Sequence, residues 1–130
     1  LFDGVSPTSN ARHGLLYTFH GELRIEREEY KFDTRPIEEG CPCEACLPAV
    51  GSGVKHDRIG RVKQPDPQAG RAYIRHLLKV KEPLGERLAS LHNLTFYMRL
   101  MKKIRESIKN KNFDSWSKKL KGIYRSKRCN

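Results

Sequence analysis

The chain has 130 residues, 37% of them hydrophobic and 32% charged, with a formal net charge of +11. That length fits one domain or part of one with a lean core, and no apolar run approaches the roughly 20 residues of a membrane-spanning helix. The charge is uneven: residues 102–130 carry eleven Lys/Arg against Glu106 and Asp114, a net of +9, while residues 1–101 net +2. A basic end of this kind suits a polyanion, nucleic acid first, and equally suits a solvated tail.

The chain opens on Leu1-Phe2-Asp3-Gly4, read as a short strand end carrying a carboxylate, with Gly4 and Pro7 breaking the run. By itself Asp3 is most simply a turn or cap residue. Residues 14–32 predict a β-hairpin: Leu15, Tyr17 and Phe19 alternate, His20-Gly21 turns, and Leu23 and Ile25 return. Arg24 to Phe32 is highly charged and exposed on one face, and Asp33-Thr34-Arg35-Pro36 leads into the next segment.

Cys41-Pro42-Cys43-Glu44-Ala45-Cys46 places three cysteines within six residues. A loop this tight can turn three thiolates toward one point, and Zn²⁺ takes such ligands in tetrahedral geometry. The competing reading is a disulfide or ordinary thiols. Cys41 and Cys43 are poorly spaced for a bridge, and nothing resembling a signal peptide points to an oxidising compartment. A histidine commonly completes three cysteines, and His56, His76 and His92 lie downstream. His92 is the expected fourth ligand, because it begins the strongest predicted helix and sits one step off that helix's apolar stripe. Cys129, next to the C-terminus, is expected to be a free thiol.

Residues 47–70, rich in Gly and Pro, read as a long loop; His56 there has a cationic, mobile setting that suits a structural ligand poorly. Residues 71–81 predict a helix with Ala72, Ile74, Leu77, Leu78 and Val80 on its apolar side and His76 on its surface. Pro83-Leu84 restarts helix after a break. The longest helix is predicted from about Ser90 to Lys109, with Leu91, Leu94, Met98, Met101, Ile104 and Ile108 as a buried stripe. A last basic helix starts at Asn112-Phe113-Asp114 and reaches about Tyr124.

Several motifs occur in one fixed order: Asp3-Gly4-Val5-Ser6-Pro7-Thr8 with Asn10-Ala11-Arg12, then Cys41-x-Cys43-x2-Cys46, Arg71-Ala72-Tyr73-Ile74-Arg75-His76-Leu77, Leu84-Gly85 and His92-Asn93-Leu94. From Leu1 to about Ile108 the chain resembles the C-terminal third of the tRNA-guanine transglycosylase (queuine tRNA-ribosyltransferase) family. The resemblance implies an α/β fold, the end of a (β/α)8 TIM barrel with an inserted β-hairpin and a zinc-binding helical subdomain. Residues 1–40 would hold the barrel end and hairpin, 41–110 the zinc subdomain, and 111–130 a basic tail. It implies exchange of guanine at the tRNA wobble position for a 7-deazaguanine base, with Asp3 as nucleophile and Thr8, Ser9, Asn10, Ala11 and Arg12 next to the RNA. It also implies one structural Zn²⁺ on Cys41, Cys43, Cys46 and His92, a homodimer contact near the zinc region, and a cytoplasmic location. The chain departs from the family pattern at Gly4, where Cys is common, at Ser9, where Arg is usual, and in the length of the 47–70 loop. The base pocket and a second catalytic carboxylate belong to earlier barrel strands, so these residues alone are expected to be inert. The alternative reading is a non-catalytic zinc-containing RNA-binding or dimerisation module.

Overall fold

A computed structural model of the chain describes residues 4–46 and 70–126. Asp3, residues 47–69 with His56, Lys55, Arg58, Arg61 and Lys63, and Cys129 lie outside the described residues. The described part is a small mixed α/β unit of four α-helices and one two-stranded sheet.

The first element is a helix, α1 (Ser6–Arg12), where the sequence predicted a broken loop. Pro7 does not interrupt it, because an N–H in the first turn has no intrahelical hydrogen bond to lose. Ala11 is wholly buried and Pro7 is buried, so one side of α1 faces the core. Gly14, at a φ of 69°, then turns the chain into the hairpin.

The hairpin is shorter than predicted. Strands β1 (Leu15–Thr18) and β2 (Gly21–Arg24) pair antiparallel, with Leu16 opposite Leu23 and Thr18 opposite Gly21. The two-residue turn is therefore Phe19-His20, not His20-Gly21. Thr18 secures it: its Oγ1 donates to Gly21 O at 2.8 Å and accepts the His20 N–H at 3.1 Å. Of the alternating residues, only those of the return strand lie on the deep face. Leu16, Leu23 and Ile25 are the core residues, whereas Leu15, Tyr17 and Phe19 lie on the opposite, half-buried side. Tyr17 and Phe19 are covered there by aromatic rings instead, their centroids 5.9 and 5.0 Å from that of Phe96. A single 3₁₀ turn, Glu28–Tyr30, follows the hairpin.

Helix α2 (Arg71–Lys79) starts against the segment that leaves the hairpin. The N–H groups of Arg71 and Ala72 donate to Arg35 O (2.9 Å) and Asp33 O (2.8 Å), so backbone carbonyls serve the helix end that has no intrahelical partner. A side chain at Gly70 would meet Thr34 O at 2.4 Å, so only glycine permits this approach. Arg71 locks the join, donating to Pro36 O, Ile37 O and the Asp33 carboxylate at 3.0–3.1 Å. His76 is on the surface of α2, as predicted, while Val80 is exposed.

Asp33 makes a testable contribution to stability. Hydrogen bonds from Arg35 and Arg71 outweigh its burial and hold its carboxyl well below the usual carboxylate range. A carboxyl depressed by folding adds stability above its unfolded value of about 3.9, and that stability is lost as pH falls through the folded value. Asp33→Asn should cost about 1 kcal/mol at pH 7, part of the interaction being screened by solvent on the Arg35 side. Urea midpoints of the two proteins should converge only well below pH 4, roughly the unfolded carboxylate value; a constant gap down to strongly acid pH would remove the ion pair as the cause.

Helix α3 (Pro83–Lys109) is one uninterrupted helix of 27 residues, not a short helix and a longer one. Pro83 occupies its first turn, where it is tolerated. Gly85 allows α2 and α3 to touch: a Cβ there would come within 2.8 Å of Leu77 Cβ. Its inner face is Gly85, Leu88, Ala89, His92, Asn93, Phe96 and Ser107. The stripe assigned to the core by periodicity is not the buried face. Leu94 is 44%, Met98 71% and Ile108 58% exposed, with Leu91, Met101 and Ile104 half-buried. Helix α4 (Phe113–Ser126) folds back toward the hairpin, as Tyr124 Oη donates to Thr18 O at 2.8 Å. No helix among the described residues is long and apolar enough to cross a membrane.

Candidate metal centre

Residues 37–46 contain no regular secondary structure beyond turns, yet Ile37, Glu38, Cys41, Cys43 and Ala45 are buried. Two backbone turns shape this loop: Cys41 N–H donates to Glu38 O (3.3 Å) and Cys46 N–H to Cys43 O (3.0 Å). They bring three sulfurs to one side. Helix α3 supplies the fourth group, His92, which is wholly buried.

The ligand atoms of Cys41, Cys43, Cys46 and His92 all lie within 4.8 Å of one another. His92 Nδ1 is 3.4 Å from the sulfurs of Cys43 and Cys46 and 3.8 Å from that of Cys41, and the Cys41 and Cys43 sulfurs are 3.4 Å apart. Tetrahedral Zn²⁺ with ordinary bond lengths requires S···S of about 3.8 Å and S···N of about 3.5 Å. These four separations match within a few tenths of an ångström, and disulfide bonds are absent among the described cysteines. These four residues fit one Zn²⁺. With all four positions supplied by protein, the ion would be structural, tying the cysteine loop to α3.

The imidazole is held in the orientation this needs. His92 Nε2 lies 2.9 Å from Tyr17 O, and donating its proton there leaves the Nδ1 lone pair facing the sulfurs. Burial and hydrogen bonding act on these groups in opposite directions. Burial alone would lower the His92 pKa, but the sulfurs of Cys41 and Cys43 outweigh it and push it up to about 9. Hydrogen bonds with Cys43, Cys46 and His92 outweigh burial and hold Cys41 well below the usual thiol range, while those with Cys41 and Cys43, together with burial, push Cys46 up.

Buried polar contacts surround the cage. The Glu38 carboxylate accepts the Phe19 N–H at 2.7 Å and pairs with Arg99 of α3. Arg99 in turn lies over the Phe19 ring, 5.2 Å from its centroid. Sequence reasoning gave no role to Glu38, Arg99 or Asn93. One signal was available: His92, Phe96 and Arg99 recur at four- and three-residue steps, marking a second face of α3.

The sequence profile of the queuine tRNA-ribosyltransferase family matches residues 1–126. The chain belongs to the queuine tRNA-ribosyltransferase family. A queuine tRNA-ribosyltransferase of Lachnoclostridium phytofermentans is 44% identical over 118 residues, 91% of this chain and 26% of the relative. One from Fusobacterium nucleatum is 42% identical over 127 residues, 98% of this chain and 29% of the relative. A third, from Syntrophobacter fumaroxidans, is 40% identical over 116 residues. The chain thus spans between a quarter and a third of the length of these queuine tRNA-ribosyltransferases.

Within this family frame the residues expected beside RNA fall on α1. Arg12 is exposed; Thr8, Ser9 and Asn10 are half-buried, and Ala11 is in the core. Thr8 Oγ1 donates to Val5 O and Asn10 Nδ2 to the Tyr17 hydroxyl. The surface that α1 presents is therefore chiefly that of Arg12. Asp3, three residues before α1, lies outside the described residues.

Proposed function

We propose that the whole polypeptide containing these residues is a tRNA-guanine transglycosylase, which replaces guanine at the tRNA wobble position with a 7-deazaguanine base. The observation that carries this reading is the Cys41/Cys43/Cys46/His92 cage, assembled in a chain whose family match runs over residues 1–126. In the proposed reaction the Asp3 carboxylate attacks the ribose anomeric carbon, and guanine leaves with the electrons of the glycosidic bond. The incoming base then displaces Asp3, and two inversions give net retention. Thr8, Ser9, Asn10 and Arg12 lie next to the anticodon RNA, with Arg12 as the available cation; Ser9 supplies no charge, and Ala11 belongs to the core beneath them.

The missing length would complete a (β/α)8 barrel, of which this chain forms the end. The outward stripe of Leu94, Met98 and Ile108 supports this, since a helix apolar on two faces is a helix covered on both. The protein would act as a homodimer, joined near the metal region, in the cytoplasm, where unbridged cysteines remain available to zinc.

The test is release of labelled guanine from tRNA in the presence of a 7-deazaguanine base. The full polypeptide should exchange, while residues 1–130 alone should not, lacking the base pocket. A full polypeptide that binds tRNA and zinc but releases no guanine would establish the non-catalytic alternative.

A further inference from the structure

We infer that Asn93 is a positioning residue: through its side-chain amide, the metal-bearing helix α3 fixes the placement of α1, the segment that follows Asp3. Its bearing on catalysis rests on the proposed role of Asp3; its structural part does not.

The side chain of Asn93 is wholly buried and every hydrogen-bonding group it has is used. Its Nδ2 donates to Pro7 O at 2.9 Å and to Leu15 O at 3.0 Å, and its Oδ1 accepts the Tyr17 N–H at 3.0 Å. The pattern follows from sheet register. Leu16 and Thr18 direct their backbone groups toward Leu23 and Gly21, so Leu15 and Tyr17 direct theirs away from β2. A two-stranded sheet leaves that edge of β1 open. Asn93 closes it as one peptide of a third strand would, taking a carbonyl at residue 15 and an N–H at residue 17. His92 finishes the edge by taking Tyr17 O. The amide's remaining hydrogen goes to the first turn of α1.

Two adjacent residues of α3 therefore do connected work. His92 faces the cage with one nitrogen and the Tyr17 carbonyl with the other; Asn93 accepts the N–H of that same residue and reaches α1. Asn10 extends the link from the α1 side by donating to the Tyr17 hydroxyl. Helix α1 has only seven residues, too short to hold its place through its own hydrogen bonds. A carboxylate at position 93 keeps the shape and the acceptor but loses both donors, so Pro7 O and Leu15 O would face an oxygen.

The test uses full-length protein carrying Asn93→Asp, with Asn93→Ser read in the same way if the first does not accumulate folded. Zinc content, amide hydrogen exchange and steady-state exchange kinetics are measured together. Zinc should stay at wild-type stoichiometry. Amides of Ser9, Asn10, Ala11 and Arg12 should exchange about 10- to 100-fold faster, the scale of one or two lost buried hydrogen bonds, while those of α2 keep their protection. If Asp3 is the nucleophile, kcat should fall by more than KM for tRNA rises. Unchanged protection in α1 would overturn the inference, as would zinc loss with acceleration spread evenly through α2. Faster α1 exchange with zinc retained, in a protein whose Asp3→Asn variant is fully active, would keep the structural link and refute the functional reading instead.

Discussion

A chain carrying His92→Ala should lose its zinc and, with it, the attachment of the cysteine loop. His92 is wholly buried, and both ring nitrogens are engaged, one by the cage and one near Tyr17 O at 2.9 Å. Alanine removes a metal ligand, leaves Tyr17 O without its donor and opens a cavity beside Phe96. Residues 41–46 have few other restraints: they form turns, not a helix or strand, and their buried side chains are Cys41, Cys43 and Ala45. Where ligands are gathered only in the folded state, metal binding energy is folding energy. Removing a ligand's outer hydrogen-bond partner costs 10- to 100-fold in affinity, so removing the ligand itself should cost more than about 100-fold. Elemental analysis after dialysis against a chelator, together with a thermal melt, measures both consequences. His76→Ala is the control, because His76 is exposed on α2 and should change neither. Wild-type metal content and an unchanged melt in His92→Ala would show that the three sulfurs hold the ion without the helix. Retention should also weaken as pH falls, since protons compete with the ion for ligands that bind it deprotonated.

The cage was legible in the sequence because its chemistry is local and its geometry narrow. Three cysteines in six residues can converge without help from the rest of the fold, and only the fourth ligand had to be chosen. His92 was chosen correctly on partly mistaken grounds: it is the tenth residue of α3, not its beginning. The orientation of that helix was not legible. Periodicity recognises apolar residues, and α3 carries apolar residues at Leu94, Met98 and Ile108 that face outward. Its inner face holds His92, Asn93 and Arg99, whose burial depends on partners: a metal cage, three hydrogen bonds and the Glu38 carboxylate. A polar residue with a fixed partner looks, in sequence, like a polar residue facing water. Helix α1 was missed for a related reason. Ser6-Pro7-Thr8-Ser9-Asn10 are residues of turns and caps, with little helical preference of their own. They are helical because Ala11 is buried and Asn93 holds Pro7 O, and both are tertiary facts. The hairpin was recognised, with Leu23 and Ile25 of its deep face, but Leu16 was not, because both faces carry apolar residues: one meets the aliphatic core, the other Phe96 and Tyr97.

Asp3→Asn in the full polypeptide should abolish base exchange while leaving zinc content, folding and tRNA binding intact. Under the proposed mechanism the carboxylate has two duties. It supplies the electron pair that replaces the glycosidic bond, and its negative charge faces the positive charge that builds on the ribose as guanine departs. Asparagine occupies nearly the same volume but performs neither duty: an amide is a poor nucleophile and carries no charge. Removing a covalent nucleophile commonly costs about 10⁴-fold or more in turnover, so residual exchange should be undetectable. Folding should be spared, because asparagine keeps the size and shape of aspartate and changes only its charge and nucleophilicity. Binding should be spared because Arg12 and the basic residues of 102–125 are untouched. The decisive readout is covalent. Wild-type protein mixed with tRNA and denatured should carry RNA through a band shift that a competing base removes, and Asp3→Asn should show none. A variant with full turnover would move the nucleophile elsewhere in the polypeptide. A variant that still forms the adduct but turns over slowly would do the same, because an ester to position 3 requires the carboxylate. Loss of the adduct together with loss of zinc would instead mean that Asp3 supports the fold. The three outcomes separate chemistry from architecture, which neither activity nor stability alone can do.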